Sequence, residues 1–223
     1  MARIRRPRPE WYEHDSIRAL FALERVWVGQ ATRARAGTVR VWMLPDARCA
    51  QDEHEPPVVT LSRAKDGWHG ALRAEWDCLP FSDASVAQLV VQHVLDDASS
   101  ASSLLAECAR VLSLDGELLL FGLNPAGVAR LRLGFSTRRP ERIRLPGRLR
   151  AQLGRLGLVV AAPLGVGGAV VDAVPAPRRW LRAAYVLRAR KRVAQVIPLS
   201  RAVPRRVRAV GQLAPTQIVA ESA

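Results

Sequence analysis

The sequence predicts an α/β fold in which a mostly parallel seven-stranded sheet carries helices on both faces. Three observations predict it. Val86 to Val94 is a largely apolar run, as a central strand buried on both faces requires. Ser99 to Leu112 follows, with Leu104, Leu105, Cys108, Val111 and Leu112 on one stripe at spacings of three and four. After a turn at Asp115-Gly116, Glu117 to Leu123 returns to strand character. Strand, helix and strand in succession are the unit from which parallel sheets are assembled.

The remaining elements follow in chain order. Met1 to Pro9 is an arginine- and proline-rich lead. Asp15-Ser16 suits the cap of a helix over Ile17 to Arg35, with Leu20, Leu23, Val26 and Val28 as its apolar positions and Gly37 after it. Thr38 to Leu44 reads as a buried strand ended by Pro45, and Val58 to Leu61 as a second. Trp68 to Trp76 is a third, with weak alternation, and Val86 to Val91 the fourth. Leu145 to Leu156 is an amphipathic helix closed by Gly157. Leu158 to Ala162 and Ala183 to Ala189 complete the strands, and Gly165-Val166-Gly167-Gly168 reads as a flexible turn.

Composition narrows the class. Apolar residues make up 49% of 223, enough to bury a core, and no apolar run approaches the roughly 20 residues of a membrane span. The N-terminal lead lacks a secretory pattern. Cys49, Cys78 and Cys108 are scattered and odd in number, and His14, His54, His69 and His93 show no zinc-ligand spacing. A reducing cytoplasm is the expected compartment. A net charge of +14 invites a nucleic-acid partner. The preferred explanation is compositional, because Lys65 and Lys191 are the only lysines and arginine supplies the rest, as in a GC-rich genome.

Two motifs carry chemistry. Asp77-Cys78-Leu79-Pro80-Phe81-Ser82-Asp83 precedes the fourth strand, and Arg110-Val111-Leu112 followed by Asp115-Gly116 ends the main helix. Together they resemble the second half of a class I S-adenosylmethionine (SAM)-dependent methyltransferase domain of the type 11-like kind. Asp115 stands where the family has glycine, a change that turn geometry accepts. Gly122-Leu123-Asn124-Pro125, and Tyr185 to Val193 with Arg190-Lys191-Arg192, resemble a bacterial subgroup with a degenerate Gly-rich loop.

The resemblance implies a Rossmann-like class I methyltransferase fold with S-adenosyl-L-methionine across the carboxyl ends of the first, second and fourth strands. It implies cofactor contacts from Asp77 to the adenine amino group, with Cys78 and Leu79 beside it. Gln92 and His93 would lie near the methionine moiety and acceptor, and Asn124-Pro125 near a possible acceptor site. From the residues alone other roles stay open. Asp77 suits a turn cap, Leu79 to Phe81 suit packing, His93 a satisfied strand-end histidine, and Asn124-Pro125 a simple turn. No catalytic residue is assigned, and no metal.

The sequence departs from the family at the first strand. Val39 to Leu44 runs into Pro45-Asp46-Ala47-Arg48 without the glycines that let a backbone approach the cofactor. Val58 to Leu61 ends in Ser62-Arg63 rather than a ribose-binding acid. Weak or lost SAM binding is therefore compatible with the fold. The expected organisation is a basic lead and helix over 1–36, a methyltransferase-like domain over 37–193 and a basic, disordered tail over 194–223. The expected activity is methyl transfer from SAM to an unknown, small-molecule acceptor by a monomer or weak dimer. The alternative is an inactive fold retained as a binding or scaffold module, with nucleic acid as a less favoured partner.

Overall fold

The computed structural model describes residues 10–32, 39–50, 58–96, 101–127, 140, 142–167 and 182–191. All lie within a compact unit, Met1–Val193; a second unit, Ala194–Ala223, lies outside the described residues, as does the lead expected over 1–9. The helices are α1 (Asp15–Thr32), α2 (Ala101–Val111) and α3 (Pro146–Arg155). The strands are β1 (Arg40–Leu44), β2 (Val58–Arg63), β3 (Trp68–Gly70), β4 (Val86–Gln92), β5 (Leu112–Leu123), β6 (Leu158–Val160), β7 (Leu164–Val166) and β8 (Ala184–Lys191).

The strands form one sheet in the order β3-β2-β1-β4-β5-β8-β6, with β7 also paired to β8. Pairs β1–β2, β1–β4 and β4–β5 are parallel; β3 is antiparallel to β2, and β8 to β5, β6 and β7. All strands but β3 and β8 therefore point the same way. The sheet is mostly parallel, with eight strands rather than seven.

Alternation along the central strands sorts the core into two layers. Leu89, Val91, Leu118 and Leu120 face Leu104, Leu105 and Cys108 of α2 and Leu149 and Leu153 of α3. Val90, Leu119 and Phe121 face Ile17, Leu20, Phe21 and Val28 of α1. Each of these α1 side chains contributes about 1.5–3 kcal/mol by leaving water. Trp42 and Leu44 of β1, the next strand in the chain after α1, lie in the same layer.

Several expectations are corrected. In α1, Leu23 and Val26 point outward; Ile17, Phe21 and the carboxylate of Glu24 take the inward stripe with Leu20 and Val28. The strand expected over Trp68 to Trp76 stops at Gly70, whose φ of 150° and close approach to the Thr60 carbonyl exclude a side chain. The break expected at Asp115-Gly116 is a bulge inside one long strand: Asp115 turns left-handed (φ 59°), and the register jumps between Val86 and Gln88. The turn expected at Gly165-Val166 is part of β7, held by backbone pairing to β8. No helix among the described residues is long and apolar enough to cross a membrane.

Candidate functional site

The strand order reverses between β1 and β4, and in open α/β sheets ligands bind in the crevice outside the carboxyl ends at that point. Here β1 delivers Leu44 and Pro45, and β4 delivers Gln92 and His93. His93 has a left-handed backbone (φ 55°), a conformation that costs about 1 kcal/mol or more in a non-glycine residue and is kept only where surroundings enforce it.

A buried polar network enforces it. Trp42 Nε1 donates to Gln92 Oε1 (3.1 Å), and Gln92 Nε2 donates to Glu24 Oε2 (2.8 Å). His93 Nε2 lies 3.0 Å from both Glu24 oxygens, and Nδ1 lies 2.8 Å from Asp96 Oδ2. The same Asp96 oxygen accepts the Leu123 N–H at 3.0 Å, tying β5 to the cluster. Only an imidazole protonated on both nitrogens can donate to both carboxylates. Burial alone would lower its pKa, but the Glu24 charge and the bonds to Asp96 and Glu24 outweigh that and push it up to about 10. Phe21 stacks on the ring at 4.9 Å and Trp11 meets it edge-on at 6.0 Å, so water is kept away.

The chain before α1 closes the end of β1. Tyr12 Oη donates to Asp46 Oδ2 (2.9 Å), while Arg48 donates to Asp46 Oδ1 through its backbone N–H and Nε, both at 2.9 Å. Arg48 also donates to Tyr12 Oη (2.7 Å), forms an ion pair with Glu13 and lies over the Tyr12 ring. Burial first, then the Asp46 bond, raises the Tyr12 pKa well above its ordinary value; the bonds from Arg48 and Tyr12 outweigh burial and lower that of Asp46.

The Asp77 turn lies elsewhere. Ala74 pairs with Trp68 and Glu75 with Cys78, so Asp77 sits in a turn beside the start of β3. Asp77 and Cys78 are exposed, and the Asp77 carboxylate has no partner. Leu79 is buried in the α2 layer. Its N–H donates to Glu107 Oε2 (2.9 Å), and its carbonyl accepts from Arg110 Nη2 (3.1 Å). Arg110 also donates to the Phe81 carbonyl (3.0 Å), to Asp83 (2.7 Å) and to Glu107 (2.8 and 2.7 Å). The two sequence motifs are thus one clamp, with the arginine of the second holding the turn of the first.

The residues singled out from sequence therefore fall into two groups. Gln92 and His93 come together on the α1 face, and Leu79 packs on the α2 face with Asp77 and Cys78 leading into it. Asn124 Oδ1 accepts from Ala126 N–H (3.1 Å) and its Nδ2 donates to the Arg182 carbonyl (2.9 Å), closing a turn after β5. Sequence reasoning missed Glu24, Asp96 and Tyr12, and noted Arg48 only as part of the segment that departs from the family after the first strand. One signal was legible: an acid at the centre of the apolar stripe of α1 needs a buried partner.

Among the described residues no group of three His, Cys, Asp or Glu side chains could hold a metal ion, and all three cysteines are free. No family model and no curated protein matches the chain. Solved structures do. A SAM-dependent methyltransferase from Archaeoglobus fulgidus aligns at TM-score 0.57 and 14% identity, over 77% of this chain and 94% of that one. One from Aquifex aeolicus aligns at 0.53 and 13%, over 80% and 94%. Another, from Thermotoga maritima, aligns at 0.50 and 13%, over 82% and 93%. The fold is that of the class I SAM-dependent methyltransferases.

In that methyltransferase fold the cofactor would meet the ends of β1, β2 and β4. The β1 and β4 ends of this chain do not fit it as they stand: Gln92, His93 and Asp46 have spent their polar atoms on protein partners, and Pro45 is buried. The Asp77 carboxylate, in contrast, is exposed and has no protein partner among the described residues.

Proposed function

We propose that this protein is a SAM-dependent methyltransferase that modifies a small-molecule acceptor, with residues 37–193 as its catalytic domain. The likeness of the fold to solved SAM-dependent methyltransferases carries the reading. SAM supplies an electrophilic methyl group, whose transfer needs chiefly orientation of the acceptor nucleophile. The exposed carboxylate of Asp77 would accept from the adenine amino group, with Cys78 and Leu79 alongside. Gln92 and His93 would border the reactive end. Trp11 lies on the His93 ring and Tyr12 binds Asp46, so the segment Glu10–His14 would cover part of that edge, while Glu24 of α1 holds both Gln92 and His93 and would have to release them.

A second reading has its own observation. The closed ends of β1 and β4, with no glycine after β1, suit an inactive methyltransferase fold kept as a binding module. Calorimetric titration of the full chain with S-adenosylhomocysteine separates the two. Binding that Asp77→Ala weakens at least tenfold supports the enzyme. Absence of heat and of thermal stabilisation at millimolar ligand overturns it.

A further inference from the structure

The net positive charge of this chain comes from one part of it. Residues 128–223 carry 20 basic and 3 acidic side chains, whereas residues 1–127 carry 14 basic and 17 acidic. A genome-wide preference for arginine acts on both parts alike, so it does not explain the division. Within the described stretches 142–167 and 182–191 there are nine cations and no acid. These residues form α3, β6, β7 and β8, which lie together at the β8–β6 end of the sheet.

Some of these cations have structural work. Arg188 and Arg190 neutralise the buried carboxylate of Glu117, Arg188 by a close contact and Arg190 at 3.2 Å. Lys191 Nζ caps the end of α2 through the carbonyls of Ala109 (2.7 Å) and Leu112 (3.0 Å). Arg144 Nε donates to the Leu95 carbonyl (3.2 Å). Of the arginines of α3, only Arg155, in the last turn, complements the helix dipole. Arg148, Arg150 and Arg155 are exposed, and among the described residues none of their guanidinium groups has a partner.

That arrangement costs the helix stability. α3 has no acid in its first turn, where the macrodipole favours one, and it carries Arg148 there instead. Its crest between the arginines is Gly147, Ala151 and Gly154, and a methyl group at either glycine would meet nothing within 4 Å. Glycine costs a helix about 1 kcal/mol relative to alanine, and packing gives no return for it here. An anion lying along the exposed side would offset the first cost. A crest of small residues would let its backbone approach closely.

We propose that α3 is a binding surface for the phosphate backbone of a nucleic acid, independently of whether the chain binds SAM. Guanidinium groups match phosphate oxygens in bidentate geometry. A membrane surface is disfavoured because the apolar stripe of α3, Leu149 and Leu153, is already in the core, and the exposed apolar side chains beside the helix are the single residues Leu145 and Val159. An acidic protein is disfavoured because the exposed side of α3 offers no aromatic anchor. Ahead of α3, the Arg142 N–H donates to the Asp96 carbonyl at 2.8 Å, beside the His93 network.

The test is fluorescence anisotropy with labelled 20-nucleotide RNA and DNA strands and the full chain near 0.15 M salt. The triple variant Arg148→Glu, Arg150→Glu, Arg155→Glu should bind at least tenfold more weakly. Its log–log salt slope should be shallower by about 2, as expected for three lost phosphate contacts on a single strand. A control with the same charge change, Arg18→Glu, Lys65→Glu, Arg73→Glu, alters exposed cations of the acidic part and should bind within twofold of the parent. If the reversed-charge chain melts early, Arg148→Gln, Arg150→Gln, Arg155→Gln is measured instead and should weaken binding in the same direction. Equal losses in patch and control variants overturn the proposal, as does an unchanged patch variant. Failure of the parent to bind either strand, with or without sedimentation on phosphatidylserine vesicles, overturns it too.

Discussion

Glu24 and His93 stand 69 residues apart in sequence and meet at 3.0 Å with neither side chain exposed. Their contact joins α1 to the carboxyl end of β4, and Asp96 on the other side of the ring extends it to β5. Removing one partner from such a buried group strands the other without water. Glu24→Ala is therefore expected to cost about 3–5 kcal/mol, read as a lowered denaturant midpoint at unchanged slope.

The pH dependence of the same contact has a definite sign. His93 titrates at about 10 in the folded chain against 6.5 for a free imidazole. Its stabilisation is whole below pH 6.5 and is lost as pH rises through 10. Urea midpoints of the parent and of His93→Gln should therefore converge between pH 7 and 10.5. A constant difference across that range would show that the ring carries no extra proton.

Arg110 should be irreplaceable by lysine. Its guanidinium reaches the carbonyls of Leu79 and Phe81 and the carboxylates of Asp83 and Glu107 at once, which one ammonium cannot do. Both Arg110→Ala and Arg110→Lys are expected to destabilise by about 2–3 kcal/mol. Both should also speed amide exchange across 79–83, monitored by mass spectrometry.

Gly122 and Tyr185 are register partners across β5 and β8, and a Cβ on Gly122 would fall 2.4 Å from the tyrosine oxygen. That oxygen donates to the Arg144 carbonyl at 3.1 Å and fixes the approach to α3. Gly122→Ala should cost about 1–3 kcal/mol through this overlap. By contrast, Gly154→Ala on the open crest of α3 should stabilise by about 0.5–1 kcal/mol. Thermal melts of the two variants should move in opposite directions.

These contacts explain which parts of the molecule the sequence disclosed. β4, α2 and β5 are legible because a strand buried on both faces is apolar throughout and the helix beside it needs a single stripe. The short edge strands are not. β3 is ended by the close approach of Gly70 to Thr60, and β7, with Gly165 inside it and Gly167 after it, is a strand whose existence depends on pairing with β8. Gln92 and His93 could be placed at a strand end by position alone. Their partner Glu24 could not, because the contact joins elements that meet only in the folded chain. The clamp of Arg110 on Leu79 was present in the sequence as two separate motifs, and its geometry required both.

In the function proposed above, residues 10–14, held through Arg48, cover part of the cofactor edge. Titration of S-adenosylhomocysteine into the parent and into Arg48→Ala decides whether they do. Loss of Arg48 removes its bonds to Asp46, Tyr12 and Glu13, so the variant should bind at least fivefold more tightly than the parent. Equal affinities would contradict the cover, and no binding by either protein at millimolar ligand would contradict the methyltransferase itself.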